Sequence, residues 1–360
     1  MGFSPEGVKI IQAVTGASTL GFFPVAIHFE IFPLLVNIKK AVTSAEVVEA
    51  VAKNPNVLSK LNLQLAEDVL FIMAGAGFVT QIGEKYAANA ITIHLVNFPS
   101  SIHGVAHFTR EALLSSAFIY PKLLDSGFEY PFLENGAAFQ YAQKQLGNES
   151  GSKQSFYATL HDLGRLESFN TFMEGKFGIS TKMPERVKGF GYDLDAVMSD
   201  MHSLVVVDIG GGQGMMLLEL KEEYPHLTSK NLILQEYNPD SKPGSDITAM
   251  KWDAKTNSPQ PILGAKVYNL MHVLHNTPDL EALDLLKKLA IAMAPDSRIW
   301  IHEFSHSLSN SSYHALMISL FAGRERTPTE WALMARLAGL RITFEHYAEV
   351  GEGLIEMMRL

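Results

Sequence analysis

The stretch that most constrains this 360-residue chain is VVVDIGGGQGMMLLELKEEYP. An apolar β-branched run, Val205 to Val207, enters a turn holding Gly210, Gly211, Gly212 and Gly214, and a helical run leaves it and ends before Pro225. The pattern predicts a strand, a glycine turn and a helix, the opening unit of a Rossmann-like sheet. Glycines there let the backbone take positive φ and approach a ligand closely. The helix N-terminus then offers unpaired N–H groups to a carboxylate or phosphate. Asp208 at the strand end narrows the choice, because a negative charge suits the ammonium of an amino-acid-like group and repels a pyrophosphate.

After Tyr192, strand candidates LVVVDIG, NLILQEY, KVYNLMHVL, RIWIHEF and RITFEHYAEV alternate with helical stretches, which predicts an α/β sheet with right-handed crossovers. The preceding half reads as helix. TSAEVVEAVAKN starts on Thr43 or Ser44 as N-cap, and the next helix ends near Gly75 or Gly77 before a hairpin turning near Gly83. Helix, helix and small hairpin form a winged-helix-like layout. Two domains are expected, residues 1–185 and 186–360. The net charge of −9 and the few Lys and Arg in the winged segment speak against a nucleic-acid partner. No uninterrupted apolar run reaches about 18 residues and no basic, then apolar leader opens the chain, so no membrane partner is expected and a cytoplasmic location is. With no cysteine, thiol nucleophiles and thiolate metal sites are excluded.

The second strand candidate ends in Glu236, 28 residues beyond Asp208, where an acid can accept from both hydroxyls of a ribose. Further on, Trp252 and Asp253 in WDAKT are placed to stack on an adenine and to accept from its amine. DIGGGQG, LILQEYNP, WDAKT, PQPILGAKVYNLMHVLH, LLKKLAIAMAPDSRIWIHE, LFAGRERTPTEW and LMARLAGLRI resemble, in order, the plant and fungal small-molecule O-methyltransferases. The resemblance implies a Rossmann-like class I methyltransferase domain preceded by a mainly helical, winged-helix-like dimerisation domain, and hence a homodimer. It also implies S-adenosylmethionine as cofactor, with Asp208, Gly210, Gly211, Gly212 and Gly214 on its methionine part, Glu236 on the ribose, and Trp252 and Asp253 on the adenine.

At the reacting end the resemblance makes His275 in VLHNTPD the base that deprotonates a substrate hydroxyl, a task suited to an imidazole. Glu303 in WIHEF and Glu325 in GRERT match the acids that orient it. The family usually reads His-Asp-Trp where this chain reads His275-Asn276-Thr277, which removes a charge and an aromatic wall and makes Asn276 and Thr277 candidate substrate contacts. His272 is either core or a second imidazole in the site. Methyl transfer to a phenolic or enolic hydroxyl of an apolar, polyketide-type small molecule is the leading expectation. The alternative is a pericyclase of the same family, which keeps S-adenosylmethionine bound and catalyses a Diels–Alder, Alder-ene or dehydrative step; a silent, cofactor-retaining subunit is a third reading. His103 and His107, four apart on one helix face, suit either helix packing or a substrate pocket. No third ligand accompanies them, so no metal is expected.

Overall fold

The structure, a computed structural model, describes residues 2–133, 135–176, 178, 181–199, 204–237 and 244–360, so the end of the NLILQEYNPD motif lies outside it. The chain forms two compact units, Met1–Ala117 with Leu163–Ile179, and Phe118–Asp162 with Ser180–Leu360. This division differs from a single cut at 185. Residues 118–162 pack with the helix Ser311–Phe321 of the second unit, Phe156 lying 4.7 Å from Phe321 between ring centroids.

The first unit is helical. Thr43 caps the helix Ser44–Ala52 through a capping box with Glu46, as its Thr-x-x-Glu spacing dictates. In the helix Leu63–Gly75, capped by Asn62, the buried Ala66, Val69, Leu70 and Met73 recur at i, i+3, i+4 and i+7 and form the stripe that meets Phe32, Leu35 and Val47. The chain then turns at Gly83 (φ 60°) between two short antiparallel strands, β1 (Thr80–Ile82) and β2 (Lys85–Ala87). The helix Leu166–Gly175 packs along Pro99–His107. Gly175 permits that approach, since a Cβ there would lie 2.6 Å from Ser100 Oγ. At the N-terminus, Pro5–His28 is long and apolar enough to cross a membrane by length and composition, an 18-residue window of it having mean hydropathy 1.6 and 11% of its residues buried. The expectation of no such stretch is corrected here: Thr15, Gly16 and Ser18 interrupt the apolar run without lowering its mean below that of a spanning helix.

The second unit is built on a seven-stranded sheet ordered β5-β4-β3-β6-β7-β9-β8. Its strands are β3 (Val206–Ile209), β4 (Leu232–Glu236), β5 (Thr248–Lys251), β6 (Val267–Met271), β7 (Arg298–His302), β8 (Leu340–His346) and β9 (Leu354–Arg359). The first five strands are mutually parallel, and β9 inserts antiparallel between β7 and β8. Parallel strands need both faces covered, and successive residues serve opposite faces. Val207, Tyr268, Leu270, Ile299 and Ile301 accordingly join one core cluster, while Val206, Leu232, Leu234, Val267 and Trp300 join another. Glu356 sits 3% exposed in the middle of β9 and is tolerated because Arg298 (2.9 Å), Thr343 (2.7 Å) and Tyr192 all donate to its carboxylate. The C-terminal ends of β3, β4 and β6 open side by side around the reversal of strand order, where α/β sheets bind ligands.

Candidate active site

The loop after β3 takes the form its glycines allow, with Gly210, Gly212 and Gly214 at φ 68°, 62° and 77°. Gly211 is required by packing: a Cβ there would lie 2.1 Å from Asp208 Oδ2 and 2.9 Å from Leu234 Cδ1. Asp208 itself is 1% exposed and accepts from Asn269 Nδ2 on β6 at 2.7 Å. Burial pushes its carboxyl up to about 7, with Asn269 opposing and Glu236 adding to the rise. It therefore braces β3 against β6 and the floor of the glycine loop, which differs from direct contact with an ammonium. A Cβ on Gly212 would meet nothing within 4 Å, so the outer side of that residue is open.

Glu236, at the end of β4, accepts the Gly212 N–H through Oε1 at 2.5 Å, and burial raises its pKa. Beyond β5, Trp252 is buried in the core cluster, and its indole N–H has no hydrogen-bond partner among the described residues. Asp253 accepts the Lys255 N–H at 3.0 Å and so shapes the turn that follows. Lys288 closes that turn by donating to the carbonyls of Ala254 (3.0 Å) and Thr256 (2.7 Å). A methionine, ribose and adenine fit this order of groups: positive-φ glycines at a helix start, an acid at the end of the next strand, and an orphaned indole beside an acid after the third.

His275 lies in the short 3-10 turn Leu274–Asn276 that follows β6 and is 5% exposed. Its Nδ1 is 2.8 Å from Glu325 Oε1 and 3.3 Å from Glu303 Oε2. An ionised carboxylate only accepts, so the short contact to Glu325 puts a proton on Nδ1 and leaves Nε2 as the basic nitrogen. Glu303 Oε1 accepts the backbone N–H groups of Leu274 (2.9 Å) and His275 (3.2 Å). Burial pushes Glu303 up to about 7, with His275 opposing and Glu325 adding to the rise. The three expected residues are thus brought together.

Arg326 was not among the expected residues, although it holds this turn. It is 1% exposed and donates to the Leu274 carbonyl (2.7 Å), the Thr277 carbonyl (2.8 Å) and Asp279 Oδ1 (2.8 Å). Gly323 lets the next segment come close, since a Cβ there would lie 2.0 Å from the His275 carbonyl oxygen. Asn276 donates through Nδ2 to the His272 carbonyl (2.9 Å) and the Tyr157 hydroxyl (3.2 Å). Thr277 is buried and donates to the Leu274 carbonyl at 2.8 Å, which makes it a brace within the turn.

His103 and His107 belong to the helical unit, where both have local partners. His103 Nδ1 is 2.7 Å from Ser168 Oγ. His107 is buried beside Phe108, Phe169 and Phe172, with Nδ1 3.2 Å from Glu111 Oε2, and Arg165 pairs with the same carboxylate at 2.7 Å. These contacts suit helix packing. In the sheet unit, ring nitrogens of His272 and His275 and an oxygen of Glu303 lie within 4.8 Å of one another. Each imidazole there faces carboxylates as a proton partner, so we assign no metal.

A Rossmann-like sheet, a glycine loop built for an amino-acid-bearing nucleoside and a buried His–Glu–Glu group define a small-molecule methyltransferase architecture. The chain belongs to the S-adenosylmethionine-dependent O-methyltransferase family. An O-methyltransferase domain matches residues 165–341. The O-methyltransferase bfoE of Aspergillus brasiliensis is 47% identical over 362 residues, covering 99% of this chain and 97% of that protein. The demethylsterigmatocystin 6-O-methyltransferase of Aspergillus flavus is 26% identical over 364 residues, covering 95% and 85%. Among solved structures, LepI in complex with SAM shares the fold with a TM-score of 0.82 at 21% identity, over 99% of this chain and 90% of that one.

Proposed function

We propose that this protein transfers the methyl group of S-adenosylmethionine to a phenolic or enolic hydroxyl of an apolar, polyketide-type small molecule. The observation that carries the reading is the buried group of His275, Glu325 and Glu303, with Nδ1 of the imidazole against two carboxylates. When bound, S-adenosylmethionine supplies a sulfonium-activated methyl group. Gly210, Gly212 and Gly214 would admit its methionine part, Glu236 its ribose, and Trp252 with Asp253 its adenine. His275 Nε2 takes the hydroxyl proton as the substrate oxygen becomes nucleophilic, and Glu325 holds the imidazolium through Nδ1. Arg326 and Gly323 keep the His275 turn in place. The names of the fungal relatives, one of which methylates a 6-oxygen, support a hydroxyl acceptor.

Incubation with methyl-labelled S-adenosylmethionine and polyketide phenols tests the reading. A product heavier by one labelled methyl, reduced about 10²–10⁴-fold in rate by His275→Ala, is expected. An unlabelled isomeric or dehydrated product would point instead to pericyclic chemistry. The helical unit, with its hairpin and the exposed apolar side chains of Ile10 and Val14, supports a winged-helix-like dimerisation module. A gel-filtration mass near twice 39.7 kDa is expected, and a mass near a single chain would overturn the dimer.

A further inference from the structure

Behind His275 lies a second imidazole with a carboxylate of its own. His272 directly follows β6 at φ 56°, a left-handed conformation uncommon outside glycine and concentrated at functional sites. Its N–H donates to the His302 carbonyl (3.0 Å), and its carbonyl accepts from Asn276 (2.9 Å). The ring is buried 5.2 Å from the His275 ring, with Nε2 2.6 Å from Glu352 Oε1. Arg186 anchors the other oxygen of Glu352 at 2.7 Å and reaches His302 Nδ1 at 3.4 Å. On its opposite side, His272 Nδ1 is 3.9 Å from Glu303 Oε2, the same oxygen that lies 3.3 Å from His275 Nδ1. The charged groups around the pair are therefore Glu303 and His302 from the end of β7, Glu325 and Arg326 after the helix Ser311–Phe321, Glu352 before β9, and Arg186, with Glu219 beyond it.

Burial, and then the Glu325 carboxylate sharing the same buried imidazole, push Glu303 toward keeping its proton. Its Oε1 already accepts two backbone N–H groups, which leaves Oε2, the oxygen facing both imidazoles, to carry that proton. We propose that His272, backed by Glu352, is a positioning residue that receives the Glu303 proton when His275 takes one from the substrate. One proton leaves the substrate hydroxyl for His275 Nε2, and one moves from Glu303 Oε2 to His272 Nδ1 as their 3.9 Å separation closes to hydrogen-bond distance. Glu303 is left ionised beside the new imidazolium, and the second imidazolium lies against Glu352. The proposal rests on His275 being the base of a methyl transfer.

The test is a histidine NMR titration of the whole protein, without and with bound S-adenosylhomocysteine, alongside the pH profile of kcat for methyl transfer. Without the second acceptor, His275 protonates beside a Glu303 that stays neutral. In His272→Asn and in Glu352→Gln the midpoint of His275 is expected to fall by about one pH unit, and the acid limb of kcat to move with it. A kcat about tenfold lower with unchanged KM should accompany the shift. Glu352→Gln keeps the size of the side chain, so it serves if His272→Asn fails to fold. An unmoved His275 midpoint in a folded variant would overturn the proposal, as would stoichiometric zinc that His272→Asn releases. Because the titration needs no turnover, a shifted midpoint in a protein that transfers no methyl would sink the methyl-transfer reading and leave the coupling standing.

Discussion

Arg326→Met removes the clamp on the His275 turn while keeping an unbranched side chain of similar length in the core. The lost interactions are two charge-assisted bonds to buried carbonyls, at Leu274 and Thr277, and one to Asp279. The Thr277 carbonyl is left without a donor, at a cost of roughly 1–3 kcal/mol, whereas the Leu274 carbonyl keeps the Thr277 hydroxyl at 2.8 Å and loses only about 1 kcal/mol. Asp279 loses less, since it is half exposed and keeps Arg324 at 2.8 Å. Relief of the buried guanidinium's desolvation offsets part of the sum, so the net loss is about 2–3 kcal/mol. All three tryptophans, Trp252, Trp300 and Trp331, lie in the sheet unit, and Arg326 stacks over Trp331 at 5.3 Å. Intrinsic fluorescence during urea unfolding therefore reports this unit. With a slope of about 3 kcal/mol per molar, the midpoint should fall by about 0.7–1 M. Arg326→Lys should recover less than half of the loss, because an ammonium cannot span three acceptors arranged for a planar fork. A midpoint within about 0.3 M of wild type at unchanged slope would refute the clamp.

Asp208 is pushed by burial up to about 7 in the folded chain and ionises near 3.9 when unfolded, so between those values the folded state holds a proton that the unfolded state has lost. Stability should thus fall by up to about 4 kcal/mol as pH rises from about 4 through 7, and Asp208→Asn should remove that slope; matching pH dependence of urea midpoints in the two proteins would dismiss it. Gly323→Ala forces a Cβ to 2.0 Å from the His275 carbonyl oxygen, and methyl transfer should drop at least about tenfold while far-ultraviolet circular dichroism stays native. Normal turnover in that variant would show that the turn tolerates displacement. Glu236→Gln should weaken S-adenosylhomocysteine by about 10–100-fold in calorimetry, as expected for charged hydrogen bonds to ribose, and unchanged affinity would remove Glu236 from the binding site.

Local rules carried much of the fold. The Gly83 hairpin, the Thr43 cap and the strand–glycine–helix unit each depend on neighbours in sequence, and each stands where its residues put it. Two strands escaped notice for opposite reasons. β5 is a four-residue edge strand with mostly exposed side chains, and Ala249 and Met250 are too short an apolar run to signal a strand. β9, LIEMMR, is buried on both faces around Glu356 and so lacks alternation. Its acid is acceptable only because Arg298, Thr343 and Tyr192 arrive from distant positions. The same blindness hid Arg326, since an arginine reads as surface until its three acceptors are assembled. The base group was legible through the family resemblance of its three motifs, of which His275 and Glu303 follow the ends of β6 and β7. The orientation of Asp208 was not, because Asn269, 61 residues away, decides it.

The two compact units share the chain in alternation, Met1–Ala117 and Leu163–Ile179 in one, Phe118–Asp162 and Ser180–Leu360 in the other. The helical unit therefore lacks Leu166–Gly175 until the ribosome has released residue 175, well after it has delivered the 118–162 segment that belongs to the sheet unit. Chimaeras with related enzymes face the same interleaving. A donor's first 117 residues joined to this chain would meet a foreign final helix, so exchange of the helical unit has to carry 163–179 along with 1–117.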